Sequence, residues 1–503
     1  MRRVKPRRPR HVAWAALIAG WVVASPVSAQ NLGFVACDVP LGFGPAAMTS
    51  GDYNRDGTPD LAIVNSSANQ VAVRVSNRAL FQVGDCLGAV AQGRTYDVST
   101  APTGIASGDL DQNRTIDVVV AVQAGVSVLR NDGTGTFTVE APLAAGSDPQ
   151  VVLVADVDGD GYADIVVGNG AGNSVTILYG KSAGGFEAPS TRAVDGAVTA
   201  IAVADFNVDS FLDLAVATDL GQLLVFVQDR SAPRTFTGLA PLNVGVKPTA
   251  LGSGDFNRDG KPDIALTSGG ADGMLTILLD RLPESTLPPF VVSAEEATGD
   301  TPSALGVDQL NRDFPLYVVV ANQNQRELPF FISQGDGTLV PVPGDCRGAA
   351  LGVCRVGDGA DALVLGDLDG DGKSDVVTAN ELSRSVSILL SSEPPPTPTT
   401  TPTSTPTVTP TATATSTPTA TATATPTLTP TATPTLTSTA GPTKTFTITP
   451  TATAICLTGG ICIQGPGCEV TPPSEQARPW ALLWLLAPVL IVFGRRLGAT
   501  RQS

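Results

Sequence analysis

Between residues 30 and 392 apolar residues come in short runs, each closed by Gly, Asn or Asp. One unit reads Asp164 to Gly168, Ser174 to Tyr179, a turn through Gly184, Gly185 and Phe186, a run near Arg192 to Val194, then Val198 to Val203. Alternation of period two fits these runs better than a period of 3.6, so the pattern predicts strands and no helix in this region. Four short strands per unit, joined by turns rich in Gly, Asn and Asp, predict a propeller blade.

Each unit opens on an acidic loop. In Asp156-Val157-Asp158-Gly159-Asp160-Gly161-Tyr162-Ala163-Asp164 carboxylates fall at positions 1, 3, 5 and 9, and a β-branched run follows at Ile165-Val166-Val167. Such a loop suits a hard cation. Calcium takes six to eight oxygens at about 2.3 to 2.6 Å, which three or four side chains, a backbone carbonyl and water can supply. Full copies are Asp52, Asn54, Asp56 and Asp60; Asp156, Asp158, Asp160 and Asp164; Asp255, Asn257, Asp259 and Asp263; and Asp367, Asp369, Asp371 and Asp375. Asp109, Asp111, Asn113 and Asp117, and Asp205, Asn207, Asp209 and Asp213, keep the ligands but lose the central Gly. A seventh copy, Gln309, Asn311, Asp313 and Tyr317, has lost both end carboxylates. About six calcium ions are therefore expected, with none in the sixth repeat. An EF-hand is excluded, because position 12 is Ile63, Val167, Leu266 or Thr378 instead of a bidentate Glu, and strands follow.

The first positions lie 57, 47, 49, 50, 54 and 58 residues apart, at or slightly above the length of a propeller blade. After the last copy come strands at Val376 to Thr378 and Val386 to Leu390, then Pro394-Pro395-Pro396, with no outer strand. The apolar stretch Phe34 to Cys37 is similar to the outer strand Phe137-Thr138-Val139 and can supply the missing one. The expected fold is all-β: a seven-bladed β-propeller closed by its N-terminal strand, with no free sheet edge. An open solenoid is the alternative, and it would need capping units at both ends.

Composition divides the rest. Residues 1–29 read as a signal peptide, with Arg2, Arg3, Lys5, Arg7, Arg8 and Arg10 before an apolar run at Val12 to Val23 and a cleavage site at Val27-Ser28-Ala29. Losing those six basic residues takes the net charge from −16 to −22, which repels phosphate backbones and argues against a nucleic-acid partner. Residues 393–454 are Pro-Thr repeats that cannot bury a core, and they predict a disordered extended stalk. A Cys-containing spacer, 455–479, leads to an apolar segment, 480–494, and a basic tail, 495–503. Its run Trp480 to Phe493 before Arg495 and Arg496 predicts a membrane or sorting segment with the basic end inside. Of seven Cys, Cys346 with Cys354 is the first expected disulfide and Cys37 with Cys86 a second, leaving Cys456, Cys462 and Cys468.

Catalytic chemistry is thinly provided. The single His11 lies in the leader, so histidine-activated nucleophiles and histidine zinc sites are excluded from the mature chain. Carboxylates that ligate a cation are ionised, the wrong state for a general acid. No Gly-rich phosphate cradle stands in a strand-to-helix context, so no nucleotide cofactor is implied.

The loops and their spacing over residues 31 to 392 resemble the FG-GAP/VCBS repeats of integrin alpha-chain propellers and many bacterial surface proteins, with a weak Phe-Gly signature at Phe43-Gly44-Pro45. The resemblance implies that each calcium loop joins the first two strands of a blade on one face, with Asp52, Asp109, Asp156, Asp205, Asp255 and Asp367 as first ligands. It implies a binding or adhesion module, which the leader and the C-terminal segment put, as an exported monomer, on a bacterial cell surface or outer envelope, either kept there or released after C-terminal processing. Its partner would be an extracellular protein or carbohydrate. A structural envelope protein and a calcium-dependent hydrolase are the alternatives.

Overall fold

The computed structural model describes residues 32 to 392, except 83, 91–92, 246, 283–288, 311–314, 343 and 347–353. Its seven sheets are seven blades. The second strand of each blade sets the architecture: Asp60–Asn65, Asp117–Val122, Asp164–Asn169, Asp213–Thr218, Asp263–Ser268, Tyr317–Asn322 and Asp375–Asn380 are all buried from end to end. A strand packed on both faces by neighbouring blades shows no polar side. The expected period-two alternation is therefore lost in these strands, which read as near-continuous β-branched runs. Outer strands face solvent, and Ser190–Ala193 is exposed throughout.

Inner strands line the axis. Ala47–Gly51, Ile105–Gly108, Pro149–Ala155, Val198–Ala204, Pro248–Gly254, Pro302–Asp308 and Ala360–Gly366 touch one another in cyclic order, the last against the first. They approach closely where side chains are missing. A Cβ on Gly306 would stand 2.7 Å from both Leu363 Cδ2 and Leu365 Cδ1, so blades 6 and 7 meet there across bare backbone.

The ring closes in blade 7 as the sequence suggests. Its own three strands, ending with Ser385–Ser392, are completed by Leu32–Pro40, which runs antiparallel from Gly33 opposite Ser392 to Pro40 opposite Ser385. A fifth strand, Gly344–Cys346, then pairs in parallel with Leu32–Pro40 and covers an edge that would otherwise stay open. Blade 4 also departs from four strands, because Leu242–Asn243 continues the pairing begun by Phe236–Gly238 along Gln222–Gln228.

The region is not free of helix. Blade 1 carries two short helices, Arg78–Gln82 and Cys86–Ala89, between its third and outer strands, and blade 3 has a single 3-10 turn, Ser182–Gly184. Four or five residues cannot display a period of 3.6, so hydrophobic pattern gives no warning of them. Capping and covalent chemistry hold the second one, since Asp85 Oδ1 accepts from Gly88 N–H at 2.9 Å and Cys86 is bonded to Cys37.

The Cys37–Cys86 disulfide ties the closing strand to blade 1. Cys354 is disulfide-bonded too, while the side chain of Cys346 lies outside the described residues. Also outside them are the leader, the Pro-Thr stalk, the last three Cys and the segment Trp480 to Phe493. Among the described residues no helix is long and apolar enough to cross a membrane. Replacing both Cys37 and Cys86 with Ser opens a loop of 49 residues and should lower stability by about 2 to 4 kcal/mol in urea unfolding. An unchanged midpoint would show that the strand pairing alone closes the ring.

Candidate metal centres

Every acidic loop joins an inner strand to a second strand, and its ninth residue is already the first residue of that second strand. The six Asp there, Asp60, Asp117, Asp164, Asp213, Asp263 and Asp375, are fully buried. Burial is tolerated because both carboxylate oxygens accept from backbone. Oδ2 accepts the N–H of loop position 2 at 2.8 to 3.2 Å, from Tyr53, Leu110, Val157, Phe206, Phe256 and Leu368. Oδ1 accepts at 2.7 to 2.8 Å from the end of the third strand or just beyond it, at Ser76, Asn131, Gly180, Gln228, Asp280 and Ser391. One side chain thus fastens three strands of a blade. Position 2 is the second anchor, since its side chain is buried in all six loops.

The remaining ligands curl the loop. The position-1 carboxylate accepts from the N–H of position 6 in all six copies, at 2.7 to 3.0 Å. Positions 3 and 5 each accept from the N–H two residues on, as in Asp158 with Asp160 at 3.1 Å and Asp160 with Tyr162 at 2.9 Å. Positions 4 and 6 both take positive φ in the six loops of blades 1 to 5 and 7. Glycine meets that need at Gly159 and Gly161. The two copies without the central Gly adopt the same backbone with Arg114 at 66° and Ser210 at 75°, at a cost of about 1 to 2 kcal/mol each.

The copies differ in charge. Where position 3 is Asn, its amide donates to the carboxylate at position 5: Asn54 to Asp56 at 2.9 Å, Asn207 to Asp209 at 3.1 Å and Asn257 to Asp259 at 3.0 Å. In blades 3 and 7 position 3 is Asp, and no such bond is possible. There Asp156, Asp158 and Asp164, and Asp367, Asp369 and Asp375, bring carboxylate oxygens within 4.8 Å of one another, and both groups could hold a metal ion. Asp367 Oδ1 is buried and accepts no hydrogen bond, which fits an oxygen that ligates a cation. In blade 2, Arg130 Nη1 pairs with Asp117 Oδ2 at 3.0 Å. In blade 6, Asn311 and Asp313 lie outside the described residues, and position 9 is the buried Tyr317, which packs in a cluster with Phe34 and Phe330.

The loops of blades 1, 3, 5 and 7 also meet the next blade, at or beside the turn between that blade's third and outer strands. Asn131 Nδ2 and Gly135 N–H of blade 2 donate to Tyr53 O of the blade 1 loop at 2.8 and 3.0 Å. Gln228 Nε2 of blade 4 donates to Val157 O at 2.7 Å, and Ser333 Oγ of blade 6 to Phe256 O at 2.9 Å. Arg78 and Gln82, on the blade 1 helix, donate to Asp369 O of the blade 7 loop at 3.0 and 3.1 Å. Over blade 3 the covering turn brings a charge: Arg234 Nε lies 2.5 Å from Asp158 Oδ2, and Nη2 lies 3.6 Å from Asp160 Oδ2. Sequence reading missed Arg234, because nothing in its own stretch marks it and its partners are about 75 residues away. It also missed the apolar position 2, whose signal was present in every copy.

Burial sets the acidity of these groups. It pushes the ninth carboxyl up to about 7 in Asp60, Asp164 and Asp213, to about 6 in Asp263 and to about 8 in Asp375, and the other loop carboxylates add to the rise while the backbone donors oppose it. Asp117 rises for the same reason, with the Asn131 hydrogen bond and the Arg130 charge opposing.

An FG-GAP-like repeat matches residues 109–167, 156–216 and 205–266, so each match runs from the first ligand of one loop into the second strand beyond the next. FG-GAP-like repeats and a seven-bladed propeller are thus both properties of this chain. No curated protein matches it. Among solved structures it is similar to the BBS1N chain in two crystal structures of BBS1N in complex with ARL6DN. In the lead-soaked crystal identity is 12%, coverage is 73% of this chain and 99% of that chain, and the TM-score is 0.48. In the mercury-soaked crystal the values are 13%, 71%, 95% and 0.50.

Two predictions follow from the buried carboxylates. Asp164→Ala leaves two backbone N–H groups unpaired in the core and should cost about 3 kcal/mol or more in denaturant unfolding, whereas Asp56→Ala on the exposed part of a loop should cost under about 1 kcal/mol in chelator; equal losses would refute the clamp. The second concerns pH. With folded values near 6 to 8 against about 3.9 unfolded, the folded metal-free chain holds protons that the unfolded chain releases, so its stability falls as pH rises from about 4 to about 8. Melting in chelator should therefore drop between about pH 5 and about pH 8, and excess divalent cation should cancel the drop by favouring the ionised form. A flat or rising metal-free profile would contradict this.

Proposed function

We infer that the chain is an exported binding module whose propeller is stabilised by calcium and carried on an extended Pro-Thr stalk. The observation that carries this reading is the acidic loop built to one backbone plan in six blades, with oxygen-only donors and two sets of three converging carboxylates. Oxygen donors in a small flexible loop select calcium over softer metals, and magnesium is disfavoured because it demands a near-ideal octahedral shell. At blades 3 and 7 the ion would be held by Asp156, Asp158, Asp160 and Asp164, and by Asp367, Asp369, Asp371 and Asp375. It would supply there the positive charge that lets crowded carboxylates stay ionised.

The partner surface is proposed on the opposite face, which carries the turns between second and third strands. Leu220 and Leu382, in two of those turns, are 62% and 58% exposed. Loops on the metal face are given over to cation ligands and to the covering segments of neighbouring blades, and the other face is the recognition side of this proposal. The leader at 1–29, the stalk at 393–454, the spacer at 455–479, the apolar segment at 480–494 and the tail at 495–503 complete the proposal, placing the propeller outside a bacterial cell. An extracellular protein or carbohydrate is the partner class.

Filling a site at a hundredfold excess over its Kd stabilises by about 2.7 kcal/mol, so two sites should raise the melting temperature by about 10 °C, and excess chelator should remove the gain. A melting temperature indifferent to both would rule calcium out. A glycan and surface-protein array probed with the full chain should show calcium-supported binding that weakens in chelator, and absence of any bound species would overturn the recognition role.

A further inference from the structure

The two loops with three converging carboxylates are not equivalent, and the difference is one arginine. Asp158 has a side chain only 2% exposed, yet no amide neighbour of the kind that neutralises the Asn-bearing loops. Its counter-charge comes from blade 4. Arg234 Nε meets Asp158 Oδ2 at 2.5 Å, Nη1 meets Glu187 Oε2 at 2.9 Å, and the guanidinium carbon lies 4.4 Å from the centre of the Tyr179 ring. The backbone presents it as well. Arg234 has φ of +72°, and its N–H donates to Gln228 Oε1 at 2.8 Å. The same Gln228 reaches Val157 O in the loop below, so the residue that seats the turn on the blade 3 loop also aims the arginine into it. A carboxylate, an aromatic face, a backbone contact and a positive φ converge on one cation, which is far more than a chance surface ion pair needs.

We propose that the Arg234 guanidinium is the resident cation of the blade 3 loop, and that a divalent ion enters there only in exchange for it. The inference rests on the reading of these loops as calcium sites. The exchange balances charge without covalent change: a dication joins Asp156, Asp158, Asp160 and Asp164, and the guanidinium leaves Asp158 and Asp160 while keeping Glu187. Space for the departing group is at hand, since Arg234 lines a cavity of 180 Å³ between blades 3 and 4 together with Ile177, Tyr179, Arg192, Phe226 and Phe236. In blade 7 the ion pair falls outside the three converging carboxylates: Lys373 Nζ lies 3.7 Å from Asp371 Oδ2. Arg78 there addresses the main-chain oxygens of Asp369 and Gly370, and Asp367 Oδ1 remains without a hydrogen bond. Blade 7 is therefore the tighter site, and blade 3 is the one whose occupancy is linked to the packing of its neighbour.

The test uses the full chain with two readouts. In calcium titrations followed by calorimetry, Arg234→Gln should tighten one class of site roughly tenfold or more, and Glu187→Gln, which loosens the guanidinium without removing it, should give a smaller change in the same direction. In chelator, Arg234→Gln should lower the melting temperature, and adding Asp158→Asn should restore part of that loss, because the buried charge then needs no partner. An unchanged calcium isotherm for both single variants overturns the exchange, and additive melting shifts overturn the pairing. Should Arg234→Gln fail to fold, Arg234→Lys keeps the charge but loses the fork and the ring stacking, and the same two outcomes are read from it. Failure of the calcium reading itself looks different: no variant, native chain included, gives heat on titration, and the melting cycle still decides whether Arg234 and Asp158 are coupled.

Discussion

The structure depends on a buried carboxylate that accepts two main-chain hydrogens. An ionised Asp in a protein core is ordinarily a heavy cost, and here it is made acceptable by placing each oxygen against a donor that would otherwise be orphaned. Asp164 joins the loop after the inner strand, through Val157, to the end of the third strand, through Gly180. The blade is thereby fixed at the end where its loop begins, and the strands that follow can be apolar on both faces. Tyr317 shows the alternative solution. Blade 6 keeps the inner-to-second strand pairing, Asp308 opposite Tyr317, with a buried ring where the other blades carry the carboxylate. One copy can thus exchange electrostatics for packing without leaving the ring.

A second layer of order comes from the neighbouring blade. In blades 1, 3, 5 and 7 the segment that covers the acidic loop belongs to the next blade, so these loops lie at seams and are not private to one repeat. Seams differ in what they contribute: an amide from Asn131, a hydroxyl from Ser333, a helix carrying Arg78 and Gln82, or a charge from Arg234. The backbone plan is shared by the six loops of blades 1 to 5 and 7, while position 3 is Asn in some and Asp in others. Variation in their behaviour must then come from that position and from the covers.

Much of this was legible in the sequence. The recurrence of acidic loops, the strands that follow them and the missing outer strand at Pro394 together give the blade count and the closure by Phe34 to Cys37, because each is a local pattern repeated at a fixed spacing. What could not be read was non-local or too short. The helix Arg78–Gln82 is shorter than two turns, the strand Gly344–Cys346 is three residues long, and Arg234 acquires its meaning only when blades 3 and 4 come together. The buried residue at position 2 belongs to a different class. Its apolar pattern is fully present in the chain, at the even position between the odd-numbered acidic ligands.

The closing strand has a consequence for how the molecule comes into being. Leu32–Pro40 finds its antiparallel partner more than 340 residues later, at Ser385–Ser392, so during synthesis the first strand among the described residues is the last to be satisfied. Contacts of such long range are entropically late events. Blades 1 to 6 can each assemble from consecutive strands, while the seventh must wait for both ends of the propeller. The Cys37–Cys86 bond, formed between this strand and the first blade, would leash the waiting strand close to its final berth and shorten that search.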